Sequence, residues 1–143
     1  MSRIIRPQSG AALRHRLLQA MSQALRSAGP AGHRADASAR DVLAFLALSL
    51  GELQASIEET ATAWERRSYW VKADRFRAEW SWTADMLRRL ESNLCGGDLD
   101  EAQACATELA GILAGHRLKA RRSTGEPWKG AWNAWLEKRQ GPP

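Results

Sequence analysis

Residue types able to do acid–base, nucleophilic or metal chemistry are sparse and scattered in this chain. Its three histidines are His15, His33 and His116, and none stands three or four residues from another histidine, a cysteine or an acid pair in a recognised metal pattern. Cys95 and Cys105 have neither metal nor redox spacing, and they make no disulfide framework, so a reduced, cytoplasmic setting is expected. Glu58, Glu59 and Glu65 lack the Glu-x-x-His repeats of di-iron bundles. No Gly-rich phosphate loop, nucleophile elbow or matched Cys/His pair occurs. The expectation is a protein that is not an enzyme and uses no cofactor and no metal.

Binding chemistry is better represented. The stretch "AWERRSYWVKADRFRAEW", residues 63–80, sets three of the seven tryptophans among five arginine and lysine side chains. Trp, Tyr and Arg are the residues that interface hot spots favour. The functional reading is a surface anchored by Tyr69 and Trp82, with Arg75 and Arg77 at its rim, that takes a protein partner or a second copy of the chain. The competing reading is structural. A helix through this region carries Tyr69, Ala73, Phe76, Trp80, Thr83, Leu87, Leu90 and Leu94 on one stripe, and Val71, Ala78, Trp82 and Met86 on another. Trp80 and Trp82 are roughly 200° apart around such a helix. They would meet different neighbours, as a central helix covered on two sides requires. Glu65, Asp74 and Glu79 dilute the positive charge, which argues against a nucleic-acid groove here.

A purer basic patch follows further on. Arg117, Lys119, Arg121 and Arg122 have no acid among them, and Lys129, Lys138 and Arg139 extend the run. Phosphate contacts from such residues would give salt-dependent, sequence-blind binding. The alternative function is therefore a basic helical module holding nucleic acid or another polyanion through residues 117–139. The charge is segregated: +6 over residues 1–40, −2 over 41–94, −4 over 95–115 and +5 over 116–143. Basic ends around an acidic middle can also neutralise one another within the fold.

Helix formers dominate and β-branched and aromatic residues other than Trp are few, so the fold class is all-α. A first helix spans about 11–26, with Leu13, Leu17 and Met21 inward and Arg14, His15 and Gln23 open to water. Leu43, Leu46, Leu50, Leu53, Ile57, Thr60 and Trp64 form a coiled-coil-like seam, with Ser38 and Asp41 as a weak cap before it. From Trp64 to Tyr69 the step is five, a phase slip that places a turn near Arg67–Ser68 although no Gly or Pro marks it. "CGGD" ends the third helix, and Asp98 with Glu101 opens a fourth along Leu99, Ala102, Ala106, Leu109 and Leu113. Pro127 opens a short last helix whose Trp128, Trp132 and Trp135 share a face. That face is either a lid docked on the bundle or an anchor for a membrane interface or a partner's groove. The architecture is an antiparallel bundle of four main helices plus a short C-terminal Trp-rich one. The expected division is a flexible N-terminus over 1–10, the helical bundle over 11–122, and over 123–143 a linker and a docked short helix with a disordered end. No apolar run is long enough to cross a bilayer. The Arg-rich start would also suit an organellar transit peptide.

The segment "WERRSYWVKADRFRAEWSW", residues 64–82, resembles one in small all-helical cyanobacterial proteins. The resemblance covers that stretch alone, implies a bacterial cytoplasm or thylakoid surroundings, and brings no activity and no site residues.

Overall fold

The computed structural model describes residues 8–28, 37–116, 118 and 125–140, and among these it holds helices and turns and no strand. The helices are α1 (Gln8–Ala28), α2 (Ala37–Arg66), α3 (Trp70–Glu79), α4 (Ser81–Cys95), α5 (Leu99–Ala114) and α6 (Ala131–Gln140). The fold is an all-α bundle, and among the described residues no helix is long and apolar enough to cross a membrane.

The organising element is α2. Its 30 residues span about 45 Å at 1.5 Å per residue, and each of the other five helices packs against it. That is why its first half is apolar almost all round: Val42, Leu43, Ala44, Leu46, Ala47 and Leu50 are all buried, followed by Leu53 and Ile57. Each fully buried leucine contributes roughly 1.5–3 kcal/mol relative to exposure. The central position expected for the third helix thus belongs to α2 instead.

Two helix ends explain the hairpins. At the end of α4, Gly97 takes φ +75°, and the Asp98 and Gly97 N–H groups donate to Asn93 O and Leu94 O. Those paired bonds define a Schellman cap. The same pair closes α2: Tyr69 N–H donates to Trp64 O (2.9 Å) and Ser68 N–H to Glu65 O (2.9 Å). Here the left-handed residue is Ser68, at φ +66°, where glycine would be the ordinary choice. The turn implied by the phase slip is therefore a Schellman cap without its glycine.

Three expectations fail. The helix expected to run from 68 to 94 is interrupted at Trp80, which caps both α3 and α4 with φ −103° and ψ 13°. The Asp41 carboxylate serves α6 rather than α2, accepting from the Gly130 N–H (3.1 Å) and the Trp132 N–H (2.9 Å); Ser38 lies within α2. Pro127 opens a turn over 127–130, and α6 begins at Ala131.

Chain direction follows from pairs of contacts. Arg77 meets Glu58 and Glu65 while Thr83 meets Gln54, so the α3–α4 arm runs antiparallel to α2. Arg89 with Glu108, and Asn93 with Cys105, set α5 antiparallel to α4. The α2–α3 turn is consequently at one end of the molecule and the α4–α5 turn at the other. Trp128, Ala131 and Trp135 join the main core, so the last helix is docked, its tryptophan face against α2.

Candidate functional site

Aromatic residues of the α2–α3–α4 region divide into an inner ladder and an outer tip. The ladder begins at Trp64, whose ring meets Phe76 edge-on at 5.0 Å between centroids, and continues to Trp80 at 6.3 Å. Trp80 stacks on Trp82 at 6.1 Å, and both rings flank His116, at 6.0 and 5.8 Å. The expectation that Trp80 and Trp82 meet different neighbours is overturned. The 200° separation holds inside one continuous helix, and the interruption at Trp80 rotates α4 enough to bring both indoles against the same histidine.

Under the ladder lies Arg14, expected in water and in fact only 8% exposed. Its Nη1 donates to Ser56 Oγ (3.1 Å) and Thr60 Oγ1 (3.0 Å), and its guanidinium lies 4.9 Å from the Phe76 ring centre. Burial lowers its pKa from the ordinary arginine value. Two hydroxyls and a ring face replace the water this cation has lost. The ladder and Arg14 thus join α1, α2, α3, α4 and the end of α5 from within.

The outer tip is different in kind. Tyr69, Trp70 and Val71 are 51%, 59% and 64% exposed, the large apolar side chains that stand out among the described residues. With Ser68 and Lys72 they line a shallow depression open to solvent. The cause is local. The left-handed Ser68 ends α2 and redirects the chain, so 69–71 project past the end of the hairpin before Ala73 re-enters the core. Arg66, Arg67, Lys72 and Arg75 are all exposed around them. The acids of this end are partly occupied: Arg77 holds Glu58 (Nε to Oε2, 3.0 Å) and Glu65 (Nη2 to Oε1, 3.1 Å). Hydrogen bonding from Arg77 keeps the Glu65 carboxyl below the usual carboxylate range and raises the pKa of Arg77 itself. Among the described residues no carboxylate pairs with Arg66, Arg67 or Arg75.

The four residues expected to form one partner surface are therefore split. Tyr69 and Arg75 are exposed in the tip region, Arg77 clamps α3 to α2, and Trp82 is half-buried in the ladder. Trp70, absent from that set, is the most prominent aromatic of the tip; it sits off both seams and directly after the phase slip, which is the signal that could have found it. Of the basic patch, Arg117, Lys119, Arg121 and Arg122 lie outside the described residues. Lys129 pairs with Glu126 at 3.4 Å, and the Arg139 guanidinium covers the Trp135 ring at 5.2 Å. Among the described residues no three His, Cys, Asp or Glu side chains gather as a metal site would need. Comparison with family models, with curated proteins and with solved structures gives no match.

Proposed function

We propose that this chain is a non-enzymatic interaction and assembly module whose working surface is the α2–α3 tip. The observation that carries the reading is the exposed triplet Tyr69-Trp70-Val71, flanked in sequence by four exposed cations, on an otherwise well-packed bundle. Contiguous exposed apolar side chains rimmed by polar ones mark contact surfaces. Aromatic anchors with arginine around them are what binding hot spots are made of. The partner surface must be anionic and must accept side chains; the bundle behind the tip supplies a rigid mount. An acidic protein face meets that description, as does any other anionic assembly with an apolar layer.

Photo-crosslinking in cells tests this. Benzoyl-phenylalanine in place of Tyr69 should give discrete adducts, and the same group in place of Ala104, exposed on α5, should not. The Tyr69 adducts should fade in a chain that also carries Trp70→Ala. Adducts equal at both sites, or none to protein or lipid at either, would overturn the reading.

A further inference from the structure

We infer that the α2–α3 tip is a peripheral membrane anchor that seats Trp70, Tyr69 and Val71 in the interface of an anionic phospholipid bilayer. The inference rests on the tip being the working surface, as proposed above, and names what it works on.

Three features select a bilayer over a folded partner. The first is area. Two aromatics of roughly 150–250 Å² each, about half exposed, together with one valine, offer on the order of 300 Å² of apolar surface. A stable protein interface takes about 800 Å² per partner, with shape complementarity across it. A lipid interface imposes no such threshold, since partition there scales with whatever area is buried and with the charge brought near it. The second is residue type. Trp and Tyr carry an apolar body with a polar edge, and they concentrate where acyl chain gives way to headgroup. The third is charge complementarity. Arg66, Arg67, Lys72 and Arg75 flank the triplet against two nearby acids, Asp74, 4.0 Å from Arg77, and Glu65, which Arg77 holds. Glu59 and Glu79 lie roughly 10 Å or more back along their helices at 1.5 Å per residue. Each cation brought near an anionic leaflet strengthens binding by about fivefold.

The arrangement suits shallow insertion. The triplet is at the very end of the hairpin, so it can sink to the headgroup boundary while the four cations remain among the phosphates. Lys72 also lies 4.5 Å from the Trp64 ring centre, which ties the charged ring to the ladder behind it.

Co-sedimentation of the full chain with vesicles tests the inference. Vesicles of phosphatidylcholine with about a third phosphatidylglycerol should bind it, and phosphatidylcholine alone should not. Trp70→Ala should weaken binding about tenfold or more, on the area it removes. Arg67→Glu should weaken it by a similar factor, and both variants should melt with the wild type. Tryptophan emission should be quenched by lipids brominated in their acyl chains, and the quenching should vanish with Trp70→Phe. No binding at low salt overturns the inference, as does binding that Trp70→Ala leaves unchanged, which would assign attraction to cations elsewhere in the chain. Protein adducts from position 69 without vesicle binding would also overturn it, while leaving the tip as the working surface.

Discussion

Segments 128–139 and 64–75 are written in the same residues, tryptophans beside lysines and arginines, yet Trp128 and Trp135 are only 6% and 2% exposed while Trp70 is 59% exposed. What separates them is whether the rest of the chain supplies a surface. For α6 it does. The first turn of that helix is capped from outside by Asp41, Phe45 meets the Trp128 ring edge-on at 6.4 Å, and α2 offers an apolar face along which Trp135 can lie. Cations then act as covers, Arg139 of this segment over Trp135 and Arg40 of α2 over Trp132 at 5.7 Å. At the tip, α2 has run out. The Schellman cap at Ser68 turns the chain beyond the last residue that could pack against 69–71, and among the described residues the ring that a cation there covers is Trp64, under Lys72. A tryptophan beside an arginine is thus a core residue or a surface anchor according to the length of the helix opposite it.

The comparison predicts unequal responses to equivalent changes. Trp135→Ala should have the largest effect, about 3–5 kcal/mol of stability, the range for removing a buried indole. Chemical denaturation would measure it, and a loss below about 1 kcal/mol would mean that α6 is not part of the core. Next comes Asp41→Ala. It removes the acceptor for two N–H groups at the start of α6, and a helix cap of this kind contributes about 0.5–2 kcal/mol. Amide exchange at Gly130 and Trp132 should accelerate in that variant. Unchanged exchange there would break the argument that α6 is fastened by its cap from α2.

Much of the fold was legible because the seam of the organising helix is unbroken. The 3-4 spacing from Leu43 to Ile57 is buried throughout, and in the second half of α2 polar residues between its members make the period plain. The five-residue step from Trp64 to Tyr69 marked a turn that composition hid. Ser68 adopts a conformation that sequence reading assigns to glycine, so only the phase of the apolar residues betrayed it. The break at Trp80 left no such trace. Phe76, Trp80 and Thr83 keep their three- and four-residue steps across it, and the two short helices share a face despite the interruption. Arg14 was unreadable for another reason. Its burial depends on Ser56 and Thr60, hydroxyls more than 40 residues away whose side chains mean nothing for α1 until α2 is laid against it. The candidate site was half legible. Tyr69 and Arg75 belong to the tip, but Arg77 is spent on Glu58 and Glu65, a pairing across the hairpin that spacing within one helix cannot reveal.

Ser68→Gly reaches the origin of the tip. A left-handed residue with a Cβ costs roughly 1–2 kcal/mol, and glycine at the same position of the same cap avoids most of it. Part of the gain is returned because glycine loses more freedom on folding. The net expectation is stabilisation by about 1 kcal/mol, read as a higher denaturation midpoint at unchanged slope. A loss of stability would mean that the Ser68 side chain contributes something the backbone geometry does not require.

Trp70→Ala should have the smallest effect on stability, within about 0.5 kcal/mol, as substitutions at exposed positions usually do. This small number is the sharpest test of the comparison, because the same substitution at position 135 is expected to cost several times as much. The two residues are chemically identical, each has basic residues nearby in sequence, and each begins or follows a helix start in a short segment. If both variants lost several kcal/mol, Trp70 would be packed in solution and the tip would be an ordinary part of the core. If neither did, α6 would be as loosely held as the tip. Only the unequal pair, one large loss beside one near zero, leaves Trp70 as a side chain that contributes nothing to folding and is available to bind.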